Sequence, residues 1–386
     1  MEFRVLLIIW RRCWCLVDNE KEKYMKRALE LAALGTGHTS PNPLVGCVVV
    51  KQGRIIGEGY HQKCGEYHAE RNALLNCKED TEGAELYVTL EPCCHYGKTP
   101  PCTEIIIEKG IKKVYIGSGD PNPLVAGKGS SILREHGIEV EEYVMEDECL
   151  KLNEIFFHYI REKVPFIAMK YAMTLDGKIA AFTGDSKWVT GEEARKHVHF
   201  LRKKYAGIMA GIGTVLADDP MLNCRIEDGV DPMRIICDTY LRLPLSGNIV
   251  KTSENIPTIV ACGENADVER EKELTAKGVK IVRIPEISEG ILNLRYLMKY
   301  LGSEIKLDSI LLEGGGNLNA SALEQGIVNK VYAYIAPKII GGADAKSPIE
   351  GRGISFMKDA VMLQDTDISK LGNDYCISGG VKCLLE

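Results

Sequence analysis

His68 and Glu70, two residues apart, and Cys93 and Cys102 downstream are the residues of this chain best suited to chemistry. One imidazole and two thiolates give a zinc ion three ligands and leave the fourth tetrahedral position to water. Zinc lowers the pKa of that water until hydroxide forms near neutrality. Glu70 is not a ligand. It is spaced to carry protons between the attacking water, a ring nitrogen and a departing amine. The reaction such a set serves is hydrolytic removal of an amino group from a nucleobase-like ring. The other reading of the same residues is a structural zinc site or two core cysteines.

These side chains need elements to hold them. Tyr67-His68-Ala69-Glu70-Arg71-Asn72-Ala73-Leu74-Leu75 reads as the opening of a helix, so His68 and Glu70 share a first turn. Cys93 follows an expected strand over residues 86–90. Cys102 follows Pro100-Pro101 and opens a helix ending near Gly110. The partial positive charge of that helix start favours thiolate over thiol. Before them come an amphipathic helix over 20–34 and a hairpin, 46–50 and 54–57, across Gln52-Gly53. After them come a strand over 113–116, a helix over 127–136, a strand over 138–144 and a helix over 147–160. Alternating strands and helices around a zinc site imply an α/β fold, a three-layer α/β/α sandwich.

Val164-Pro165 begins a second domain. It opens with a strand over 166–173, a polar turn over 184–190, a helix over 192–204 and a strand over 206–210. A turn over 213–220 follows, then strands over 233–237, 257–262, 279–284 and 307–313. The last runs into Gly314-Gly315-Gly316-Asn317 and a helix over 318–325. A strand, glycines and a helix start can cradle phosphate, because backbone N–H groups are exposed there; a plain turn is the alternative. No G-x-G-x-x-G follows any strand, which argues against a twofold-repeated Rossmann domain.

The 386 residues have room for two or three domains, with 45% hydrophobic and 26% charged residues as in ordinary globular proteins. A net charge of −6 gives no broad basic face for nucleic acid. Fourteen scattered cysteines suit a reducing cytosol better than a disulfide framework. Residues 1–17 are read as an extension outside the catalytic fold. Their apolar run, Phe3 to Trp10, is too short to span a membrane, and a membrane-surface anchor is the alternative.

The run Glu91-Pro92-Cys93-Cys94-His95-Tyr96-Gly97-Lys98-Thr99-Pro100-Pro101-Cys102 resembles the deaminase half of the bifunctional riboflavin-biosynthesis deaminase–reductase family. Thr174-Leu175-Asp176-Gly177-Lys178, Gly184-Asp185-Ser186-Lys187-Trp188, Thr214 to Pro220 and Leu312-Glu313-Gly314-Gly315-Gly316-Asn317 resemble its reductase half, in the family's order. The resemblance spans residues 20 to 385. It implies a cytidine-deaminase-like domain over 18–163, followed by a dihydrofolate-reductase-like α/β domain over 164–386. The implied cofactors are Zn2+ and NADPH. The implied partner is a small pyrimidine ribose phosphate, with no nucleic acid and no membrane, in a cytoplasmic homo-oligomer.

The same resemblance implies residue roles. Zinc falls to His68, Cys93 and Cys102, with Glu70 catalytic. Asn42, His61, His95, Lys98, Thr99, Asp120 and Asn122 contact the first substrate, and Lys98 and the histidines suit its phosphate. Lys170 and Glu313 stand near the ribose carbon that takes a hydride, while Ser186, Arg202, Leu222 and Arg225 hold that substrate, the arginines on phosphate. Ala172, Trp188, Thr214, Asp218 and the loop Gly315, Gly316, Asn317, Leu318, Asn319, Ala320 and Ser321 line the NADPH site. Core packing is the other reading for Trp188 and Leu222. Asp176 and Asp219 read as caps or turn formers. Cys94 stands where the family has serine and Tyr96 where it often has histidine, so Cys94 is a rival ligand. A deaminase of another pyrimidine or a tRNA base, and a nucleotide sensor without turnover, are the competing functions.

Overall fold

The computed structural model describes residues 20–97, 99–122 and 125–382. Residues 1–17, read as an extension, and Lys98 lie outside the described residues. The chain divides into two compact units between Glu162 and Lys163.

The first unit runs α1 (Glu20–Ala33), β1 (Gly46–Lys51), β2 (Arg54–Tyr60), α2 (Ala69–Leu75), β3 (Glu85–Leu90), α3 (Cys102–Glu108), β4 (Lys113–Ser118), α4 (Lys128–Glu135), β5 (Glu139–Glu141), α5 (Glu146–Leu152) and α6 (Glu154–Glu162). The sheet order is β2-β1-β3-β4-β5. β1 is antiparallel to both neighbours, and β3, β4 and β5 are parallel.

Strand alternation builds the layers. Val48, Val50, Tyr87 and Tyr115 point to one face and pack on Tyr24, Met25, Ala28 and Leu29 of α1. Cys47, Val49, Leu86, Val88, Val114 and Ile116 point to the other and pack on α2, α3, α4 and α6. Each large apolar side chain buried this way contributes about 1.5–3 kcal/mol. A Cβ on Gly46 would lie 1.9 Å from the Ala28 carbonyl oxygen, so α1 can rest on β1 only with glycine there.

The single helix expected over 147–160 is two. Asn153, buried between them, accepts from Leu44 N at 2.8 Å and donates to Leu44 O at 2.9 Å. It spends its amide on the loop before β1.

The second unit runs β6 (Phe166–Thr174), α7 (Glu192–Lys204), β7 (Gly207–Gly211), α8 (Ile212–Asp218), β8 (Met233–Cys237), α9 (Asn248–Lys251), β9 (Thr258–Gly263), α10 (Val268–Thr275), β10 (Lys280–Ile284), β11 (Glu286–Ser288), β12 (Ile291–Leu292), α11 (Leu294–Ser303), β13 (Ser309–Leu312), α12 (Gly316–Glu324), β14 (Lys330–Ala336), β15 (Leu363–Leu371) and β16 (Asp374–Val381). Nine strands form a sheet in the order β10-β9-β8-β7-β13-β6-β14-β16-β15. β10 through β14 are parallel, and β16 and β15 are antiparallel additions. Met169, Met209 and Leu312 face α11 and α12. Ile208, Ala210 and Ile236 face the opposite layer with α8, α9 and α10.

The turn expected over 213–220 is mostly helix α8. Asp219 ends it and accepts from Asn248 N at 2.8 Å, at the start of α9. Asp176 accepts from Gly341 N at 2.7 Å and from Thr174 Oγ1. Both aspartates are turn formers. Arg234 of β8 is fully buried and donates to Thr258 Oγ1, Thr252 Oγ1, Met221 O, Ile249 O and Ile256 O. It ties down the segment that leads into Leu222–Arg225. Among the described residues no helix is long and apolar enough to cross a membrane.

Candidate active sites

In the first unit three segments converge. His68 is the N-cap of α2, Cys93 lies in the loop after β3, and Cys102 is the first residue of α3. Their ligand atoms lie within 4.8 Å of one another, and both sulfurs are 3.4 Å from His68 Nδ1. A tetrahedral zinc with ordinary bond lengths requires sulfur–nitrogen separations of about 3.6 Å, so the donor set fits that ion.

The charges fit as well. The Cys102 thiol and His68 donate to Cys93 and hold its thiol down at about 4, and Cys102 N adds a contact at 3.4 Å. That same hydrogen bond to Cys93, together with burial, pushes the Cys102 thiol up. The two sulfurs therefore share one proton, which a dication would displace. Glu70 is buried beside them. Burial, then the negative charge of Cys93, pushes its carboxyl up to about 7.

The substrate residues expected here cluster in part. Asn42 Nδ2 lies 3.1 Å from His61 Nε2, and His61 Nδ1 lies 3.1 Å from Tyr67 O. A carbonyl can only accept, so His61 carries its proton on Nδ1 and takes the Asn42 amide on Nε2. The His61 ring meets His68 edge-on at 5.4 Å. Asp120 accepts from Asn122 N at 2.8 Å, and burial pushes its carboxyl up to about 6. Cys93 and His95 are among the charges it feels. His95 Nδ1 is buried with no hydrogen-bond partner, as befits an atom that a ligand satisfies. Thr99 is half-buried, and its carbonyl accepts from Gly97 N. Cys94 stands outside the ligand group. Tyr96 is exposed and donates to Glu104 at 2.8 Å.

Sequence reasoning missed Glu91. Its buried carboxylate accepts from Gly127 N at 2.9 Å and Ser130 N at 3.2 Å, at the start of α4, and from Asp120 N at 3.4 Å. It joins the cysteine loop to the Asp120 loop. The only signal was an acidic residue directly before Pro92-Cys93.

The second unit has its own centre. Lys170, midway along β6, reaches Glu313, just past β13, at 3.5 Å. Arg202, in the last turn of α7, grips the same carboxylate with Nε at 2.7 Å and Nη2 at 3.0 Å. Burial alone would raise the Glu313 carboxyl, but Arg202 and then Lys170 overcome it and hold it at about 2.

Two of the Arg202 nitrogens serve Glu313 and the third donates to Asn223 O at 3.0 Å, so its protein partners are a carboxylate and a carbonyl. Arg225 is exposed and rests on Asn223 Oδ1 at 2.8 Å. Leu222 buries its side chain in the core and offers only backbone, at φ 48°. Ser186 is half-buried in its loop.

Trp188 is 64% exposed, which excludes core packing; Arg195 covers its ring at 4.7 Å and Lys338 donates to its carbonyl. Ala172 lies two residues beyond Lys170, on the same face of β6. Thr214 Oγ1 would be 3.2 Å from a Cβ on Gly315, so the starts of α8 and α12 lie side by side, and neither has a side-chain cap. Asp218 is exposed at the far end of α8. The expected loop over 315–321 is helix from Gly316 onward. Its first internal bond is Asn319 N to Gly315 O, which leaves the N–H groups of Gly316, Asn317 and Leu318 outside the helical ladder. Asn319 donates to Pro348 O at 2.8 Å and to Gly314 O at 3.4 Å, Ala320 is buried and Ser321 accepts from Gln325.

Residues 18–118 match the cytidine and deoxycytidylate deaminase zinc-binding region, and residues 165–377 match the RibD C-terminal domain. The riboflavin biosynthesis protein RibD of Actinobacillus pleuropneumoniae is 53% identical over 354 residues, covering 92% of this chain and 93% of that protein. The chain belongs to the RibD family. Among solved structures, RibD of Acinetobacter baumannii aligns with a TM-score of 0.83 at 36% identity, over 94% of this chain and 99% of that one. The diaminohydroxyphosphoribosylaminopyrimidine deaminase/5-amino-6-(5-phosphoribosylamino)uracil reductase of Thermotoga maritima aligns with a TM-score of 0.82 at 40% identity, over 94% and 99%. As a RibD, the chain is a bifunctional deaminase and reductase of riboflavin biosynthesis, with zinc and NADPH as cofactors. The cytidine-deaminase-like and dihydrofolate-reductase-like folds expected for its two halves both hold.

Proposed function

We propose that the first unit deaminates 2,5-diamino-6-ribosylamino-4(3H)-pyrimidinone 5′-phosphate and that the second reduces the product's ribose, giving 5-amino-6-(5-phosphoribitylamino)uracil. The catalytic domains would span 18–163 and 164–386. The observation that carries this reading is the convergence of His68, Cys93 and Cys102 with buried Glu70, on one chain with the Lys170–Glu313–Arg202 cluster.

Zinc held by His68, Cys93 and Cys102 would supply the acidity that turns water into a nucleophile near neutral pH. Glu70, whose carboxyl burial pushes up to about 7, would take a proton from the attacking water and give it to the ring nitrogen, then take the second proton from the hydroxyl on the ring carbon and give it to the leaving amine. Asn42, Asp120 and Asn122 hold the ring and sugar, and His61, His95, Lys98 and Thr99 the phosphate end.

Bound NADPH would supply hydride chemistry at C1 of the opened ribose. Glu313, held at about 2, stays ionised at neutral pH and cannot donate a proton. Lys170 therefore provides the proton and Glu313 is its counter-charge. The free N–H groups of Gly316 to Leu318, with Thr214 and Gly315, suit the phosphates of NADPH. Ala172, Trp188, Asp218, Asn319, Ala320 and Ser321 complete that site, while Ser186, Arg202, Leu222 and Arg225 seat the substrate, the arginines on its phosphate. A cytoplasmic setting and a homo-oligomer follow the family.

The test supplies purified protein with the pyrimidine phosphate and NADPH. Ammonia release and NADPH oxidation should both occur. Glu70→Gln should abolish the ammonia while NADPH oxidation on pre-deaminated substrate survives. A joint fall of both activities would show the two-centre reading to be wrong.

A further inference from the structure

Lys170 has four rotatable side-chain bonds, and its single carboxylate contact is long. Glu313 is turned toward Arg202, at 2.7 and 3.0 Å, and leaves Lys170 at 3.5 Å. A second surface is needed to fix the ammonium, and the neighbouring strand supplies one. Lys170 Nζ lies 5.9 Å from the ring centroid of Tyr334. Tyr334, on β14, is fully buried and pairs in register with Ala172, two residues along β6 from Lys170. Cys376 of β16 pairs with Tyr334 on its other side. The phenol oxygen is tied to His197 Nδ1 at 2.6 Å, which fixes the ring's rotation. His197 lies on α7, the helix that also carries Arg202.

We propose that Tyr334, pinned by His197, is a positioning residue that seats the Lys170 ammonium for proton delivery in the reductase reaction. One helix thereby sets both neighbours of Lys170. Arg202 orients the carboxylate, and His197 orients the aromatic face whose negative quadrupole attracts the ammonium. Burial pushes the His197 imidazole down to about 4, so it is neutral at working pH and puts no repelling charge near Lys170. This inference rests on the reading of Lys170 as the proton donor.

The experiment measures the reductase half-reaction on pre-deaminated substrate. Tyr334→Leu removes the ring and should lower kcat by about 10- to 30-fold, the size of a desolvated cation–π contact, with KM for NADPH within about twofold. Tyr334→Phe keeps the ring and should recover kcat to within about threefold of wild type. Wild-type protein with labelled lysine should also show a nuclear Overhauser effect between the Tyr334 ring and the Lys170 ε-protons, assigned by their loss in Lys170→Arg. An unchanged kcat in Tyr334→Leu overturns the proposal, as does Tyr334→Phe falling as far as Tyr334→Leu. If Tyr334→Leu does not fold, the Overhauser contact decides, its absence overturning the proposal. Lys170→Met separates this from the underlying reading. Full reductase activity in that variant would remove Lys170 as donor, whereas an inactive Lys170→Met beside an active Tyr334→Leu would sink only the role of Tyr334.

Discussion

Arg202→Met isolates the clamp on Glu313. The Glu313 side chain is only 10% exposed, and its carboxyl sits at about 2 against 4.5 for an unperturbed glutamate. At 1.36 kcal/mol per tenfold change, that difference amounts to about 3 kcal/mol of folding stability. The sign follows from a folded-state value below the unfolded one. The contribution is fully present above pH 4.5 and is lost as pH falls toward 2. Arg202 is the larger of the two charges holding the carboxyl down, and Lys170 remains in the variant. We therefore expect a loss of about 2–3 kcal/mol at pH 7, plus about 1 kcal/mol for the hydrogen bond to Asn223 O, which does not depend on pH. Urea titrations of both proteins in pH steps from 7 to 3, with hydrogen exchange followed in β6 and β13 peptides, read the gap. It should narrow as the solution is acidified. A gap that stays flat with pH, or one below about 1 kcal/mol at pH 7, would refute the clamp as the source of the low Glu313 value.

Cys102→Ser should drop zinc from one ion per chain to well below it by elemental analysis, while Cys94→Ser should leave zinc and ammonia release unchanged; the reverse pattern would move the ligand to Cys94. Glu91→Ala strips the start of α4 and the Asp120 loop of their shared acceptor. It should cost about 1–3 kcal/mol locally, read as faster hydrogen exchange over residues 125–133, and should slow ammonia release with NADPH oxidation intact. Unaltered exchange there would remove the bridging role of Glu91.

Local signals made much of the fold legible. The apolar spacing of Tyr24, Met25, Ala28, Leu29 and Ala32 gives α1, and all five are buried. The Gln52-Gly53 turn gives the hairpin of β1 and β2. What stayed hidden depends on distant partners. The break at Asn153 answers to Leu44, 109 positions away. The grip of Arg202 on Glu313 spans 111 positions, and nothing near either residue announces it. α8 reads as a turn because it is short and carries Gly213. β15 escapes notice because it is an edge strand. Gln364, Asp365, Thr366, Asp367 and Ile368 are all exposed, so no apolar alternation is written there. At the zinc centre the residue types pointed to His68 and the cysteines, since metal coordination demands specific donors, while the choice of Cys102 over Cys94 came from the family resemblance; the structure brings His68, Cys93 and Cys102 together. At the second centre, family motifs pointed to Lys170 and Glu313, while His197 and Tyr334, two ordinary core-compatible residues, carried no motif.

Arg234 sits sealed inside the second unit with five neutral oxygens around it. Burial pulls its guanidinium down only to about 10, so it stays cationic across the physiological range. A lysine has three donors on a point charge and could not reach hydroxyls and carbonyls contributed by three separate stretches of chain. The position is thus a keystone with no conservative substitute, and the rigidity of the rim around Arg225 is inherited from a residue that never meets the substrate.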